Sequence, residues 1–477
     1  MTVATPATTA NPFTPTDGRR APFGWPVIRI LPGEEVPLSL LPPAPPAPRG
    51  GWLRFTVSVD DREEKLLAVR IPGEDTLLGI VDLRYCHSLE PFQLHLDAGS
   101  YARVAREGVL ITLSAATSPL WLLDCAIPPD ALPLAPQLIP DHPSAGGNAL
   151  SADTTRAFFQ TLGSLASVQT FSWMEGCVLD ALFDLHEASP DASRLRAFDA
   201  HLALFIKPDG RLVYENPRGQ PSDNRIYGIE GTLPFAQLAK RSPKHPLLYL
   251  AITFFLEKFR DDGSFTDHEP VTAEGSYTVA YPLAVIAQNR RDADLARISA
   301  NILRIRRASL HRPEGIWLRY HADGSRTFRS WARGVAWYLL GLARSIEHLE
   351  GLTDLADLKA DFRTAAAWVL RYQRPDGLWG CFIDDPATLA DTSGSAGIAA
   401  ALARGVRSGL LPGTALLDAA HRTWDGLLPH LTPDGILSGA AQANRAGESL
   451  QRGPYRVLSP MGMGLMGQLA GALKITP

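Results

Sequence analysis

The first part of the chain is built from short segments in which apolar residues alternate with polar ones or cluster as β-branched residues. Between Pro22 and Asp124 these segments read GWLRFTVSVD, KLLAVRI, TLLGIVDLRY, PFQLHLD, GVLITLS and PLWLLD, separated by Gly, Pro and Asp. A period of two places one face of a strand in a core, and the separating residues favour turns. We predict an N-terminal antiparallel β-sandwich.

After Ser151 the apolar residues recur with helical spacing. About twelve such segments follow, near residues 152–166, 172–188, 192–206, 229–240, 245–260, 276–288, 291–307, 331–349, 354–373, 393–408, 414–430 and 455–472. Helices in this number, paired as hairpins, can close a ring with an inner and an outer set. We therefore predict a mainly α protein whose larger part is an (α/α)6 toroid.

An acidic residue followed by Gly recurs along the helical region, at intervals of roughly 50 to 60 residues. The acids are Asp209, Asp262, Glu314, Asp376 and Asp434. Gly accepts positive φ and ends a helix, so these motifs are expected to be turns after the outer helices. The inner helices would then begin near Trp173, Gly228, Glu274, Trp331, Thr392 and Tyr455, with their N-termini at one mouth of the ring.

Proline-rich stretches mark the expected limits of the domains. PPAPPAPRG at Pro42–Gly50 interrupts the strand region, and a second stretch ends it near Gly147. The prediction is a disordered tail over residues 1–20, a β-sandwich over 21–147 and a helical catalytic domain over 148–477.

Composition narrows the class of protein. The chain has 477 residues, 45% of them hydrophobic and 20% charged, which is enough to bury a large core. It has no run of the ~18 apolar residues that a membrane span requires and no signal-like N-terminus, so we expect a soluble cytoplasmic protein without membrane contact. A net charge of −4 without a basic stripe argues against nucleic acid. A homo-oligomer is compatible with the sequence.

The four cysteines are far apart and form no Cys-x-x-Cys motif. This usage is typical of free thiols in a reducing compartment and argues against a disulfide framework or a zinc site.

The predicted helix starts carry carboxylates, an arginine and aromatic rings. Together in one concave site these groups suit a sugar that carries an acid group: rings stack on the sugar, Arg or helix N-terminal N–H groups hold its carboxylate, and a carboxylic acid transfers protons. The candidates are Trp173, Glu175, Tyr227, Glu230, Glu274, Tyr277, Tyr281, Trp331, Arg333, Trp337, Thr392 and Ser393.

Three C-terminal stretches, WARGVAWYLLGLARSIEHL, LRYQRPDGLWGCFIDDPATLADTSGSAGIAAALARGVRSGLL and TWDGLLPHLTPDGILSG, resemble glycoside hydrolase families 88 and 105, the unsaturated glucuronyl and rhamnogalacturonyl hydrolases. The resemblance runs from about Ile316 to the C-terminus and is weaker over Ser172–Arg291. It implies an (α/α)6 barrel without metal or cofactor. It also implies an acid that protonates C4 of a 4,5-unsaturated uronic acid. Water then adds at C5, and the resulting hemiketal opens and expels the aglycone.

The resemblance carries over to particular residues. In the family motif W-x-R-G-x-x-W the Trp, Arg and second Trp line the substrate pocket, and here they are Trp331, Arg333 and Trp337. The family also has an Asp on an earlier inner helix, and Glu230 in GIEGTLPFA takes its place.

The main catalytic Asp of the family lies in a stretch such as W-x-D-D-L-x-M-x-x-P, which here reads A-E-G-S-Y-T-V-A-Y-P. Anchoring on Pro282 puts Gly275 and Ser276 where the two acids belong, and Glu274 is one residue away. A shift of one residue turns a helical side chain by about 100°, although the longer Glu recovers some reach. We predict Glu274 and Glu230 as the catalytic residues of a hydrolase that acts on uronic-acid-terminated oligosaccharides.

Two other functions stay open. Hydrolysis of a saturated β-glucuronide needs two carboxyl groups across the glycosidic bond, and Glu230 with Glu274, or Glu175 in reserve, could supply them. Because the main acid is displaced, a carbohydrate-binding protein without catalysis is the second alternative.

Some candidates have simpler interpretations. Glu175 at a helix start can merely complement the helix dipole, and Thr392 or Ser393 can merely cap a helix. His321, in RYHADG, matches a family His only loosely, so a surface loop histidine is the simpler interpretation.

Overall fold

The computed structural model describes residues 18–41, 47, 49–141, 147–259 and 270–476. The chain forms two compact units: the first contains Met1–Asp141 with Pro217–Pro221, and the second contains His142–Asn216 and Ser222–Pro477. Most of the predicted N-terminal tail, residues 1–17, and the Asp262 turn lie outside the described residues.

The first unit contains two antiparallel sheets, as predicted. Its elements are β1 (Val27–Ile30), β2 (Glu35–Leu38), β3 (Gly51–Val57), β4 (Glu64–Arg70), β5 (Leu77–Arg84), β6 (Glu90–Leu96), α1 (Ala98–Glu107), β7 (Val109–Ala115), β8 (Leu120–Leu123) and β9 (Gln137–Pro140). One sheet has the order β1-β8-β3-β6 with β9 also on β3, and the other has the order β2-β7-β4-β5.

Alternate residues of the strands build the core of this unit, because successive side chains of a strand point to opposite faces. Leu53, Phe55 and Val57 of β3 meet Leu67 and Val69 of β4 in one buried cluster. Helix α1, which the strand pattern did not predict, is capped at Asp97, whose carboxylate accepts a hydrogen bond from the backbone N–H of Ser100.

The second unit is helical. Its helices are α2 (Gly147–Leu162), α3 (Trp173–Ala188), α4 (Ala192–Phe205), α5 (Pro234–Arg241), α6 (Leu248–Lys258), α7 (Tyr281–Arg290), α8 (Ala293–Leu310), α9 (Ala332–Leu349), α10 (Ala356–Leu370), α11 (Thr392–Arg407), α12 (Thr414–Leu427), α13 (Gly447–Arg452) and α14 (Pro460–Leu473). Helices α3, α5, α7, α9, α11 and α14 contact one another in that order, and α14 packs on α3, which closes the ring. The remaining long helices surround them, so the predicted (α/α)6 toroid is confirmed.

Short elements lie where inner helices begin. A 3-10 turn (Ile229–Gly231) precedes α5, and a π-helical segment (Ser276–Ala280) leads directly into α7. The short strands are β10 (Val271–Thr272), β11 (His311–Arg312), β12 (Gly315–Tyr320), β13 (Arg326–Arg329), β14 (Ala440–Ala441) and β15 (Arg456–Val457). The last inner helix starts at Pro460, after β15, and not at Tyr455 as predicted.

The described acid-Gly motifs are turns. Gly210, Gly377 and Gly435 have φ of 84°, 81° and 85°, the left-handed region in which glycine is favoured. Gly315, with φ of 147°, is the first residue of β12 and follows the turn after β11 directly. None of the helices within the described ranges combines the length and the apolar character that a membrane span would need.

Candidate active site

Glu230 and Glu274 belong to two turns that share one anchor, Thr278. Thr278 lies in the π-helical segment, and its hydroxyl donates a hydrogen bond of 3.1 Å to the main-chain carbonyl of Glu274. Its own carbonyl accepts a hydrogen bond from the hydroxyl of Thr232, whose single proton is shared with the carbonyl of Ile229 at 2.6 Å. The 3-10 turn of Glu230 is therefore held against the segment that follows Glu274. Both glutamates are half-buried.

Tyr227 contacts Glu230 directly. Its hydroxyl donates to Glu230 Oε2 at 3.4 Å. Burial, followed by the nearby charge of Glu230, raises the pKa of Tyr227 well above its ordinary value, so its hydroxyl stays protonated and remains a donor. Tyr227 therefore keeps a hydroxyl donor beside the Glu230 carboxyl group.

Arg306 occupies the space beside Gly275. A Cβ atom on Gly275 would lie 1.9 Å from Nη2 of Arg306. The guanidinium is buried and fixed, because its Nε donates to the carbonyl of Thr272 at 2.9 Å. Gly275 therefore has no room for a side chain, and the neighbouring Ser276 is fully buried. Glu274 is the carboxylate nearest along the chain to these two positions.

The predicted aromatic residues form a column. Trp173 meets Trp337 edge-on at 5.6 Å, Trp337 stacks on Tyr277 at 5.8 Å, and Tyr277 stacks on Tyr281 at 5.7 Å. Trp173 is half-buried, Trp337 is 3% exposed, and the two tyrosines are fully buried. The column therefore runs from a partly accessible ring into the core.

The tyrosine hydroxyls end on a buried ionic network that the sequence did not predict. Both donate to Asp180, from Tyr277 at 2.5 Å and from Tyr281 at 2.8 Å. Arg344 pairs with Asp180 at 3.3 Å and also contacts Asp184. Burial and the charge of Asp180 raise the pKa of both tyrosines well above the ordinary value. These groups fix the inner helices and the base of the aromatic column.

Arg333 and Trp331 support the segment that follows β14. Arg333, 4% exposed, donates to the carbonyls of Ala441 at 2.7 Å and Gln442 at 2.8 Å. Trp331, 1% exposed, donates from Nε1 to Gln451 at 3.1 Å. Through these hydrogen bonds both side chains hold the segment from Ala441 to Gln451, which forms one wall of the ring.

Asp391 and Arg445 belong to the same wall, Asp391 as the helix cap that its DTSGS motif predicts and Arg445 as a residue that the sequence did not single out. Asp391, the N-cap of α11, accepts from the N–H of Ala441 at 3.0 Å, on the strand whose carbonyl Arg333 holds. Arg445 follows in the same segment, and its charge acts on Tyr227 to favour the phenolate. Arg445 thus lies near the Tyr227–Glu230 pair, and no local motif marks it in the sequence.

Glu175 is placed apart from the other two glutamates. It is fully buried and accepts from His201 Nδ1 at 2.8 Å and from the N–H of Gln169 at 2.7 Å. Both ring nitrogens of His201 face acceptors, since Nε2 lies 3.0 Å from the carbonyl of Ser164. Burial opposes charge on His201, but the ion pair with Glu175 outweighs it and raises the pKa of His201. The pair links α3 to α4.

The remaining candidates are engaged locally. Thr392 donates to the carbonyl of Ser438 at 2.7 Å and Ser393 donates to Asp391 at 2.7 Å, both fully buried. His321 lies in the β12–β13 hairpin turn, 3.1 Å from the hydroxyl of Thr327. Strands β10 and β12 are antiparallel, with Val271 opposite Tyr320. The chain that continues from β10 to Glu274 therefore runs away from the hairpin turn that carries His321.

The part of the chain that the structure describes contains no group of three His, Cys, Asp or Glu side chains arranged to hold a metal ion.

A sequence model of Glycosyl Hydrolase Family 88 matches residues 291–470. No curated protein matches the chain. Among solved structures, a possible family 105 member from Klebsiella pneumoniae is 17% identical, with 71% of this chain and 96% of its own covered and a TM-score of 0.58. A family 105 glycoside hydrolase from C. acetobutylicum is 19% identical, with coverages of 70% and 100% and a TM-score of 0.57.

An unsaturated glucuronyl hydrolase from Bacillus sp. GL1, described as responsible for glycosaminoglycan degradation, is 16% identical, with coverages of 69% and 95% and a TM-score of 0.50. At such identities these likenesses concern the fold. The second unit is therefore an (α/α)6 toroid similar to the glycoside hydrolases of families 88 and 105, and residues 291–470 share the family 88 sequence pattern.

Proposed function

We propose that the protein is a glycoside hydrolase that removes a terminal unsaturated uronic acid, of the glucuronyl or galacturonyl type, from short oligosaccharides in polysaccharide degradation. The observation that carries this proposal is the shared anchoring of the Glu230 and Glu274 turns on Thr278. Two half-buried carboxyl groups on adjoining turns of the ring can supply the acid and the base that proton transfer to and from a sugar requires.

The π-helical segment supports Glu274 as the proton donor. Relative to Pro282, Glu274 is one residue further from α7 than the acid of the resembling families. A π-helical turn closes with i→i+5 hydrogen bonds and so contains one more residue than an α-helical turn. Ser276–Ala280 lies between Glu274 and Pro282 and absorbs that extra residue. The rotation of ~100° expected from the displacement is thereby largely cancelled.

The surroundings of Glu230 support a different role for this residue. The hydroxyl of Tyr227 donates to it, and its carboxylate form orients water and accepts a proton from that water. In the proposed reaction Glu274 protonates C4 of the double bond and Glu230 directs water to C5. The hemiketal formed there opens and releases the aglycone.

Trp173, packed edge-on against the buried Trp337, presents a partly accessible aromatic ring for the sugar. Arg445 and Arg333 are the candidate partners of the uronate carboxylate. Arg445 is a candidate because its charge acts on Tyr227, the residue that contacts Glu230. Arg333 is a candidate from the family motif, although its guanidinium also donates to two backbone carbonyls.

A saturated β-glucuronidase is the second candidate. The same pair of glutamates favours it, because ordinary glycoside hydrolysis uses two carboxyl groups, about 5 to 9.5 Å apart. It differs from hydration in needing no double bond in the substrate.

Parallel assays distinguish these reactions. One substrate is a lyase-generated unsaturated disaccharide, followed by the loss of absorbance of its double bond; the other is a saturated aryl β-glucuronide, followed by release of the aryl alcohol. We expect loss of absorbance without glucuronide cleavage. The reverse result supports the β-glucuronidase, and binding of uronate oligosaccharides without turnover of either substrate would make the protein a carbohydrate-binding protein.

A further inference from the structure

We propose that the groove between the outer helices α8 and α10 is a second binding site, which holds a carboxylated or sulfated polysaccharide outside the active site. The groove is open and has a volume of about 1150 Å³. The identity of its occupant rests on the proposed function, since an enzyme that trims uronic acid chains meets such polymers.

Five arginines line the groove, and its two acids cannot neutralise them. The arginines are Arg304, Arg307, Arg312, Arg363 and Arg371, and the acids are Asp357 and Asp361. The excess of positive side-chain charge makes the groove an attractive site for a polyanion.

The two acids are already engaged. Asp357 pairs with Arg304 at 3.1 Å and with Arg307 at 3.2 Å. Asp361 is buried, lies 2.7 Å from His311 Nδ1 and accepts from the hydroxyl of Tyr338.

Three of the arginines keep their charge available. Arg363 donates to the carbonyl of Leu410 at 3.1 Å. Among the residues that the structure describes, Arg312, Arg363 and Arg371 form no ion pair. Arg363 and Arg371 are exposed and Arg312 is half-buried. Guanidinium groups bind carboxylates and sulfates with paired N–H donors, so these three suit an acidic sugar chain.

The rest of the lining suits a sugar more than a nucleic acid. Ala308, Pro313 and Ala367 give it small apolar surfaces, and its one Trp, Trp368, is 6% exposed. Single-stranded nucleic acids are held by exposed aromatic rings on which bases stack, and this groove lacks them. The net charge of −4 of the whole chain also opposes binding to nucleic acid.

The position of the groove is consistent with a role in retaining substrate. The chain passes from the end of α8 through β11, β12 and β13 directly to the start of α9. The end of the groove at Arg312 therefore lies on the side of the ring where α9 begins. A polymer held there stays close to the proposed active site.

The test compares the Arg312→Ala/Arg371→Ala double variant with wild type. The matched control is Arg290→Ala/Arg297→Ala, which removes two exposed arginines that do not line the groove. Binding of fluorescent polygalacturonate and heparin is titrated at low ionic strength, with dextran as the uncharged polymer and an oligothymidylate as the nucleic acid. Turnover of the unsaturated disaccharide is measured on the same preparations.

We expect the groove variant to lose about tenfold in affinity for both acidic glycans, which corresponds to 1.4 kcal/mol, while the control variant binds as wild type does. Disaccharide turnover should be equal in all three proteins. Wild-type affinity in the groove variant would overturn the proposal, as would an oligothymidylate that binds more tightly than either glycan through the same arginines. Failure of the wild type to turn over the disaccharide contradicts the proposed function, whereas glycan binding is read independently of it.

Discussion

The hydroxyl of Thr232 donates a hydrogen bond to the main-chain carbonyl of Thr278. This contact joins the turn that carries Glu230 to the π-helical segment that follows Glu274, and it is fully buried on the Thr232 side. The Thr232 hydroxyl is therefore one of the groups that set the relative position of the two acids.

Thr232→Val removes this hydroxyl and keeps nearly the same volume. We expect the free energy of unfolding to fall by about 1–3 kcal/mol, because the buried carbonyl of Thr278 loses a donor. Turnover of the unsaturated disaccharide should fall through kcat more than through KM, because the acids and not the sugar contacts are displaced. Steady-state kinetics and urea unfolding of the same variant check this. An unchanged kcat at reduced stability would show that the contact serves folding alone.

Glu274→Gln and Glu230→Gln should each reduce kcat on the unsaturated disaccharide by about 10²–10⁴-fold, because each removes a group that transfers a proton. The matched control is Glu350→Gln, an exposed glutamate that pairs with Lys359. The thermal unfolding midpoint of each variant is measured alongside, so that loss of fold is recognised. Full activity of Glu274→Gln would remove it from the mechanism.

Gly275→Ala tests the space beside Arg306. The added methyl group collides with the fixed guanidinium, so we expect a loss of about 1–3 kcal/mol in unfolding free energy and a fall in turnover as Glu274 shifts. Gly228→Ala is the control, because Gly228 has extended backbone and nothing within 4 Å of the added atom. Equal stability of the two variants in urea would contradict the crowding at Gly275.

Arg344→Met breaks the buried network below the aromatic column. Asp180 and Asp184 would keep their burial and lose a cation, so we expect a loss of about 3–5 kcal/mol in the free energy of unfolding. The comparison variant is Arg297→Met, which removes an exposed ion pair with Asp294 and should change stability little. Urea unfolding of both variants measures the two stability losses. Similar unfolding midpoints for the two variants would contradict the prediction.

The lowered pKa of Glu63 predicts how the stability of the first unit changes in acid. The hydroxyl of Thr117 donates to its carboxylate at 2.6 Å, Lys65 lies 3.2 Å away, and these and backbone contacts lower the pKa of Glu63 from 4.5 to about 2. A lowered folded-state pKa stabilises the fold fully above the unfolded value, and this contribution is lost as pH falls from 4.5 to 2.

The difference in unfolding free energy between wild type and Glu63→Gln should therefore be largest above pH 4.5 and shrink towards pH 2. Denaturant unfolding of the full chain at several pH values measures it. The neighbouring, more exposed Glu64 supplies the control variant Glu64→Gln. A difference that does not depend on pH would contradict the prediction.

Much of the architecture followed from local pattern. The apolar period of 3.6 located the helices of the ring within a few residues, because burial of one face repeats along every helix. The strand region was also predicted, but α1 was missed although Asp97 provides a capping signal. The start of α14 was misplaced because β15 and the turn after it occupy residues near Tyr455.

The sequence by itself determined the two kinds of secondary structure, the turns at Gly210, Gly377 and Gly435, and the residue types at the inner helix starts. Only the tertiary structure decided which of those residues face one another. Glu175 contacts His201, and Tyr277 and Tyr281 donate to Asp180. The charge of Arg445 acts on Tyr227, which is more than two hundred residues away in sequence. Periodicity fixes which face of a helix is buried, whereas the partner of a buried polar group depends on contacts between helices that no local pattern records.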